Sequence, residues 1–340
     1  MMSVDGAHRP AASLPAPAPA APALRAPVYL SAEDCRELLG PERVLASVAE
    51  TLRWDAERAV TWPEPRSLRM ADRLGADFHL KACVLEEAGV AGVRLVAHQP
   101  DEARGGATRW VLLLDAHTTL PLAIVDESWS YVQRTAAVMA LAARKLAAPG
   151  PGQLALVGAG RLAAAALTYY RLLFELTEVR IASRRPETRA ALAERAQREA
   201  GLPAAAASSV EAAVRGADLV LTCTSSGRAV LEDAWVGPGA VVGCLDTAEP
   251  GPDLVRRADL LVVDSREQLA GELTDCYGPD VAARVGATIG EVLSGRHPGR
   301  TAAAQRVVVI SQGLASLDVA LAHQVYLLAA RRGLGKRLPL

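Results

Sequence analysis

Three short stretches carry residue types that can act together on a nucleotide and a small substrate. The first is Gly158-Ala159-Gly160-Arg161-Leu162-Ala163, the small-residue spacing G-x-G-x-x-A. Its first glycine permits a tight turn, its second lets backbone N–H groups approach a pyrophosphate, and its third small residue lets helix and strand pack closely. The helix N-terminus then faces the anion with unpaired amides and the positive end of its dipole. The second stretch, Ser183-Arg184-Arg185, stands where an acid would bind the ribose hydroxyls of NAD and an arginine would accept the 2′-phosphate of NADP. No acid is there, so the pattern favours NADP(H) and leaves NAD(H) open. The third is Asp246, just past an apolar run at the carboxyl edge of a strand, where ligands bind in open α/β folds and a carboxylate can serve as a general base.

These residues meet only if strands and helices carry them to one edge of a sheet. Leu154, Leu156 and Val157 give the apolar run of a strand covered on both faces, and residues 162–173 are long enough for a crossover helix. A second strand at 177–182 follows at the spacing of a right-handed βαβ unit. Further apolar runs at 217–222, 240–245, 258–264 and 306–310, with a helix at 186–200, predict an α/β fold with a Rossmann-type doubly wound parallel sheet. Before it, a strand at 28–30, a helix at 32–39 capped by Ser31 and Asp34, and a helix from Pro41 to about residue 59 come first. Strands at 78–80, 92–96, 109–114 and 121–125 then mark an α+β region, the last two joined by a hairpin at 115–119. A helix at 128–146 leads to the Pro/Gly boundary at 149–152. A long final helix at 315–331 returns to the first region. The expected division is 28–135 with 311–340 for substrate binding and dimerisation, 136–310 for the dinucleotide, and 1–27 as a disordered Ala/Pro-rich leader.

Composition excludes several classes. A chain of 340 residues with 51% hydrophobic and 22% charged content has the make-up of a globular protein large enough for two domains. A net charge of −1 and 4% aromatics argue against nucleic acid as a partner. The apolar runs fall far short of the roughly 20 residues of a membrane span. Cys35, Cys83, Cys223, Cys244 and Cys276 show neither metal-ligand nor disulfide spacing, which points to a reducing, cytoplasmic setting and to no bound metal. Lysine is scarce: Lys81, Lys145 and Lys336 only.

In order along the chain, Arg134-Thr-Ala-Ala, Gly158-Ala-Gly, Thr222-Cys-Thr-Ser-Ser226, Asp246-Thr, Val263-Asp-Ser-Arg-Glu267 and Ser311-Gln-Gly-Leu-Ala-Ser-Leu-Asp318 resemble the ornithine cyclodeaminase/mu-crystallin family from residue 28 to 338. Arg66-Ser-Leu-Arg69 and Val242-Gly-Cys-Leu-Asp246-Thr-Ala-Glu-Pro250 are similar to the branch that oxidises N-(2-amino-2-carboxyethyl)glutamate to give 2,3-diaminopropionate. The resemblance implies a homodimer built through the first region, a cleft between the two domains, and hydride transfer between a nicotinamide and the carbon of an amino-acid C–N bond. It assigns Arg134, with Arg69 as a second candidate, to the substrate α-carboxylate, a task that bidentate guanidinium geometry suits. It gives Asp246 the proton or water that accompanies C–N chemistry. Thr224, Ser225 and Ser226 would line the nicotinamide ribose, Ser311 and Gly313 the carboxamide, and Thr222 would also contact the cofactor.

One position departs from the family. Its catalytic lysine falls on Gly92-Val-Arg94-Leu-Val, six residues before Pro100, so Arg94 stands in its place; Glu102 replaces a frequent asparagine. Arginine holds an anion but does not exchange a proton near neutral pH as a lysine with a lowered pKa does. Either the chemistry has changed or Lys81 supplies the ammonium from a nearby strand. The resemblance leaves open a cyclodeaminase acting on ornithine or lysine with internally recycled NAD, and a mu-crystallin-like NADP-binding protein without turnover.

Overall fold

The computed structural model describes residues 26–71, 77–98, 107–150 and 152–339. The segment 1–25 of the leader, Pro100 and Glu102 lie outside the described residues. The strands β1 (Val28–Leu30), β2 (Val60–Thr61), β3 (Ser67–Ala71), β4 (Asp77–Leu85), β5 (Val90–His98), β6 (Thr108–Asp115) and β7 (Pro121–Asp126) build a largely antiparallel sheet. A second sheet holds β8 (Gln153–Val157), β9 (Glu178–Ala182), β10 (Ala204–Ala206), β11 (Leu219–Thr222), β12 (Val241–Cys244), β13 (Leu260–Val263), β14 (Val285–Thr288) and β15 (Val307–Ile310). The short β16 (Lys336–Arg337) returns to pair with β1. The second sheet runs β10-β9-β8-β11-β12-β15-β13-β14, all parallel, so the last strand inserts between β12 and β13.

Its strands are apolar at nearly every position because helices cover both faces. Leu154, Leu156, Ile181, Leu219, Leu221 and Val309 share a core with α2 (Pro41–Ala56), α3 (Ser130–Leu146) and α4 (Arg161–Leu173), near α1 (Ala32–Leu38). Their alternates Ala155, Val157, Val220, Val242, Val308 and Ile310 face the opposite way. The helix α5 (Pro186–Ala200) packs at the β9–β10 edge, and α6 (Val210–Val214), α7 (Pro252–Arg256), α8 (Arg266–Tyr277) and α9 (Pro279–Ala283) contribute to that second core. The helix α10 (Ile289–Leu293) packs on α2.

The final helix, α11 (Ala315–Arg332), lies on the first sheet against β4, β5 and β6. Along β5 the buried residues are Val90, Gly92, Arg94 and Val96, the face turned to α11. A side chain on Gly92 would collide with Val319, so the missing Cβ sets how closely the helix approaches. The other face of this sheet leaves Leu68, Met70, Trp110 and Leu112 exposed. Strands β4 and β5 run longer than the apolar pattern predicts, because nine residue pairs from Asp77↔His98 to Leu85↔Val90 form one ladder. That ladder sets Lys81 directly opposite Arg94.

Candidate active site

The turn after β8 has the shape a pyrophosphate requires. Gly158 sits at φ 122°, and a Cβ there would lie 2.5 Å from the carbonyl oxygen of Cys223, so no other residue fits without displacing backbone. Its N–H donates to the Ala182 carbonyl at 2.8 Å, which ties the turn to β9. Gly160 is the N-cap of α4 and supplies no side-chain cap, and the first turn carries no acid. A Cβ on Gly160 would meet nothing within 4 Å, so space is open beside this turn, and the amides of Arg161 and Leu162 have no hydrogen-bond partner among the described residues. Ala163 is fully buried and lets α4 lie close on β8, while Ala159 and Leu162 pack partly on the core. These features fit a dinucleotide.

At the end of β9, Ser183 donates to the Arg185 carbonyl at 2.9 Å, and Arg189 donates to the Ser183 carbonyl at 2.7 Å. The loop is thereby fixed, with Arg184 and Arg185 exposed and in no ion pair among the described residues.

Two buried carboxylates hold the remaining strand ends. Glu249 accepts from Thr222 Oγ1 at 2.6 Å, from the amide and Oγ1 of Thr224 at 2.8 and 2.7 Å, and from the Leu245 amide at 3.1 Å. Asp264 accepts from Ser311 Oγ at 2.9 Å, the Gly313 amide at 2.6 Å and the Ser265 amide at 2.9 Å. The hydroxyl protons of Thr222, Thr224 and Ser311 are thus directed into the protein, and Ser225 is exposed. Asp246 is half-buried two residues beyond β12, and its Oδ1 accepts from the Ala248 amide at 2.8 Å, an Asx turn. Beside it, Thr247 receives a hydrogen bond from Gln312 at 2.8 Å and donates to Glu272 at 2.9 Å.

The first sheet and α3 bring a cluster of basic groups to these strand ends. Arg134 is buried, and its Nε and Nη2 donate to the two carboxylate oxygens of Asp318 at 2.7 and 3.1 Å. Arg94, also buried, reaches Glu127 at 2.6–2.7 Å and Asp318 at 3.0 Å. Tyr131, at the start of α3, gathers three guanidinium carbons around its ring: Arg109 at 4.5 Å, Arg134 at 4.9 Å and Arg94 at 5.6 Å. Lys81 donates to the Gly313 carbonyl at 3.5 Å, the outer limit of a hydrogen bond, and meets no acid within ion-pair distance among the described residues. Gly313, at φ 84°, lies so close to Nη1 of Arg134 that a side chain there would collide with it. Lys81, Arg134, Gly313 and Asp264 therefore form one junction between the two sheets.

Of these four basic groups only Arg94 and Arg134 are paired with the two acids, Glu127 and Asp318, and the ionisation of the cluster reflects it. Burial pushes the Lys81 ammonium below its ordinary pKa, and Arg94 and Arg134 add to the effect. Burial disfavours the charge on Arg94, but Asp318 and Glu127 outweigh it and the guanidinium stays ionised. Burial likewise opposes ionisation of Asp318, yet Arg134 and Arg94 hold its pKa below the usual carboxylate value. Glu127 is pushed up to about 7 by burial and then by Asp318. Its Oε2 is buried with no hydrogen-bond partner among the described residues.

Of the residues singled out in the sequence, Lys81, Arg94, Arg134, Ser311 and Gly313 meet here. Arg69 stands apart: it makes a bidentate pair with Asp77 at 3.0 and 2.9 Å, and its side chain is 68% exposed. Its neighbour Arg66 donates to Ser265 Oγ at 3.2 Å and lies 4.8 Å over Trp62, bridging to the β13 end. Sequence reasoning did not single out Arg109, Glu127, Glu249, Asp264 or Asp318 as site residues. Glu249, Asp264 and Asp318 fall inside the stretches quoted above, but a carboxylate that accepts from loop amides distant in sequence has no local pattern.

The sequence model described as the ornithine cyclodeaminase/mu-crystallin family matches residues 27–332. A Delta(1)-pyrroline-2-carboxylate reductase of Bacillus cereus is 26% identical over 325 residues, covering 92% of this chain and 99% of its own. Mouse ketimine reductase mu-crystallin is 33% identical over 222 residues, 64% of this chain and 68% of its own. The structure of Thermococcus litoralis Delta(1)-pyrroline-2-carboxylate reductase in complex with NADH and L-proline superposes with a TM-score of 0.85 at 21% identity. That match covers 92% of this chain and all of the other.

Proposed function

The chain belongs to the ornithine cyclodeaminase/mu-crystallin family, and from that premise we propose that it is an NAD(P)-dependent oxidoreductase acting on the C–N bond of an amino-acid-derived imine or secondary amine. The observation that carries this reading is the junction at Gly313. There a depressed-pKa ammonium and a partly committed guanidinium meet at the carboxyl edge of a parallel sheet, the edge that also carries the open Gly158–Gly160 turn. A bound nicotinamide dinucleotide supplies or accepts the hydride.

The chain's own residues do the rest. Asp318 occupies Nε and Nη2 of Arg134, leaving Nη1, the atom nearest Gly313, for the substrate carboxylate. Arg94 is locked between Glu127 and Asp318, where it fixes those acids and exchanges no proton. The proton falls to Lys81. In the reductive direction its ammonium protonates the imine nitrogen, the N–H bond breaking on lysine and forming on the substrate, and the amine then recovers a proton from water. Asp246, at the edge of β12, steadies the iminium charge so formed. The exposed Arg184 and Arg185 suit the 2′-phosphate of NADP(H) over NAD(H).

The apolar outer face of the first sheet, with Leu68, Met70, Trp110 and Leu112 exposed, suits a homodimer. No helix among the described residues is long and apolar enough to cross a membrane. The five free cysteines suit a cytoplasmic setting.

The test follows NADPH and NADH oxidation with Delta(1)-pyrroline-2-carboxylate and with imines formed from pyruvate and methylamine. Lys81→Met is expected to lose at least about 10²-fold in kcat with cofactor affinity retained. Lys81→Arg keeps the charge and the KM but not kcat. Wild-type kcat in Lys81→Arg would remove Lys81 from the chemistry, and absence of turnover with every imine would overturn the oxidoreductase reading.

A further inference from the structure

Arg109 is the third guanidinium on Tyr131, and the roles above leave it unused. It lies on β6 opposite Val96, two residues before Val111, the partner of Arg94, so it rises from the same face of the first sheet as Lys81 and Arg94. Its guanidinium carbon is 4.5 Å above the Tyr131 ring, a stack that fixes its plane. Arg94 and Arg134 stand on the same ring but are answered by Glu127 and Asp318. Among the described residues Arg109 has no carboxylate partner. Its Nη1 donates to the Ala107 carbonyl at 3.2 Å, and its Nε is buried without an acceptor among the described residues. A half-buried cation is thus held in place among like charges.

The groups around it show what would answer that charge. Burial and then Arg94 disfavour ionisation of Arg109; Tyr131 and Glu127 favour it, and Arg161 opposes it again. Arg161 is the first residue of α4, beside the open Gly160 turn. Two arginines that repel each other, Arg109 on β6 and Arg161 at the start of α4, are both stabilised by an anion bound near them, and the uncapped N-terminus of α4 favours the same charge.

We propose that Arg109 is an oxyanion-binding residue, reaching from the first sheet to grip a phosphate of the dinucleotide on the side opposite the glycine turn. The inference rests on the reading of the cleft as a dinucleotide site. A carboxylate of the substrate offers the same chemistry, and the experiment separates the two sources. Because the pyrophosphate is common to NADH and NADPH, Arg109 contributes to both alike, unlike Arg184 and Arg185.

The experiment measures dissociation constants of NADPH and NADH by nucleotide fluorescence for wild type, Arg109→Leu, Arg109→Gln and Arg109→Lys, at low and high salt. Arg109→Leu and Arg109→Gln are expected to weaken both dinucleotides by at least about tenfold, the scale of one charged hydrogen bond. Their salt dependence becomes shallower, and Arg109→Lys recovers part of the loss. The Gln variant, which keeps a donor for the Ala107 carbonyl, stands in if the Leu variant folds poorly. Unchanged dinucleotide affinity with a KM for Delta(1)-pyrroline-2-carboxylate raised by the same factor assigns the oxyanion to the substrate. Unchanged values of both overturn the proposal. If the wild-type protein binds neither dinucleotide, the reading of the cleft fails and this inference falls with it.

Discussion

Replacing Asp318 by Asn tests whether the buried charge array is a real energetic unit. Asp318 is the anion that Arg134 and Arg94 share, at 2.7 and 3.0 Å, and Asn keeps its shape while removing the charge. Breaking a buried pair from one side costs about 3–5 kcal/mol, because the remaining cations stay desolvated. At roughly 2.1 cal/mol/K per residue over 340 residues, that is a fall of about 4–7 °C in Tm if unfolding is a single transition. Glu127 softens the loss. With Asp318 neutral, one cause of its raised pKa disappears, so at pH 7 it ionises more fully and takes over part of the charge on Arg94. The double variant Asp318→Asn/Glu127→Gln is therefore less stable than the two single changes sum to, by about 0.5–3 kcal/mol. The pH dependence follows from the sign of the Asp318 shift. Its folded-state pKa is depressed, so its contribution is complete above the unfolded value of about 3.9 and is lost as pH falls through the lower folded value. Calorimetry at pH 7 and below pH 4 should show the wild-type advantage large in the first and shrinking in the second. A Tm change under about 1 °C at pH 7, or strict additivity in the double variant, would refute this reasoning.

Gly160→Ala and Gly158→Ala separate ligand space from backbone strain. The first adds a methyl to open space at ordinary φ, so Tm holds while dinucleotide affinity falls. The second meets the Cys223 carbonyl at positive φ, so stability falls too; the two Tm values distinguish them. Gly313→Ala drives a methyl into Arg134 and is expected to raise the substrate KM and to lower stability by about 1–3 kcal/mol, read as a fall in Tm. The Arg184→Ala/Arg185→Ala double variant should lose NADPH affinity while NADH affinity stays; equal loss of both would place the 2′-phosphate elsewhere. Because Lys81 is held below its ordinary pKa, the rate of imine reduction should fall on the alkaline side at a pH under the usual lysine range near 10.4, and this limb should be missing in Lys81→Arg.

The parallel sheet was legible in the sequence because its strands are buried on both faces and read as apolar runs, as at 154–157, between Gly152 and Gly158, and at 307–310. Strand ends and short edge strands were not. The three alanines of β10 and the two residues of β16 carry no periodicity, and β3 exists because its residues pair with β4 from Ser67↔Lys81 to Ala71↔Asp77. The glycine turn was equally plain, since its chemistry is local. The charge array was only partly visible. Arg94 and Arg134 stand in recognisable stretches, but their partners Glu127 and Asp318 lie 33 and 184 residues away in the chain. Lys81 gains its character from the residue across the β4–β5 ladder and from a carbonyl on another sheet, neither of which sequence spacing records. Arg109 reads in sequence as one more polar residue at a strand start; only the stack on Tyr131 sets it apart.

The central claim is that this cleft moves a hydride to the carbon of a C–N bond. The most direct test supplies NADPH carrying deuterium at the transferring position of the nicotinamide, with Delta(1)-pyrroline-2-carboxylate, and examines the amino-acid product by mass spectrometry and NMR. One deuterium on the α-carbon, incorporated at least about 10²-fold more slowly by Lys81→Met, is the predicted result. A protein that binds the labelled cofactor tightly yet leaves the α-carbon unlabelled with this and every other imine tried would contradict the account.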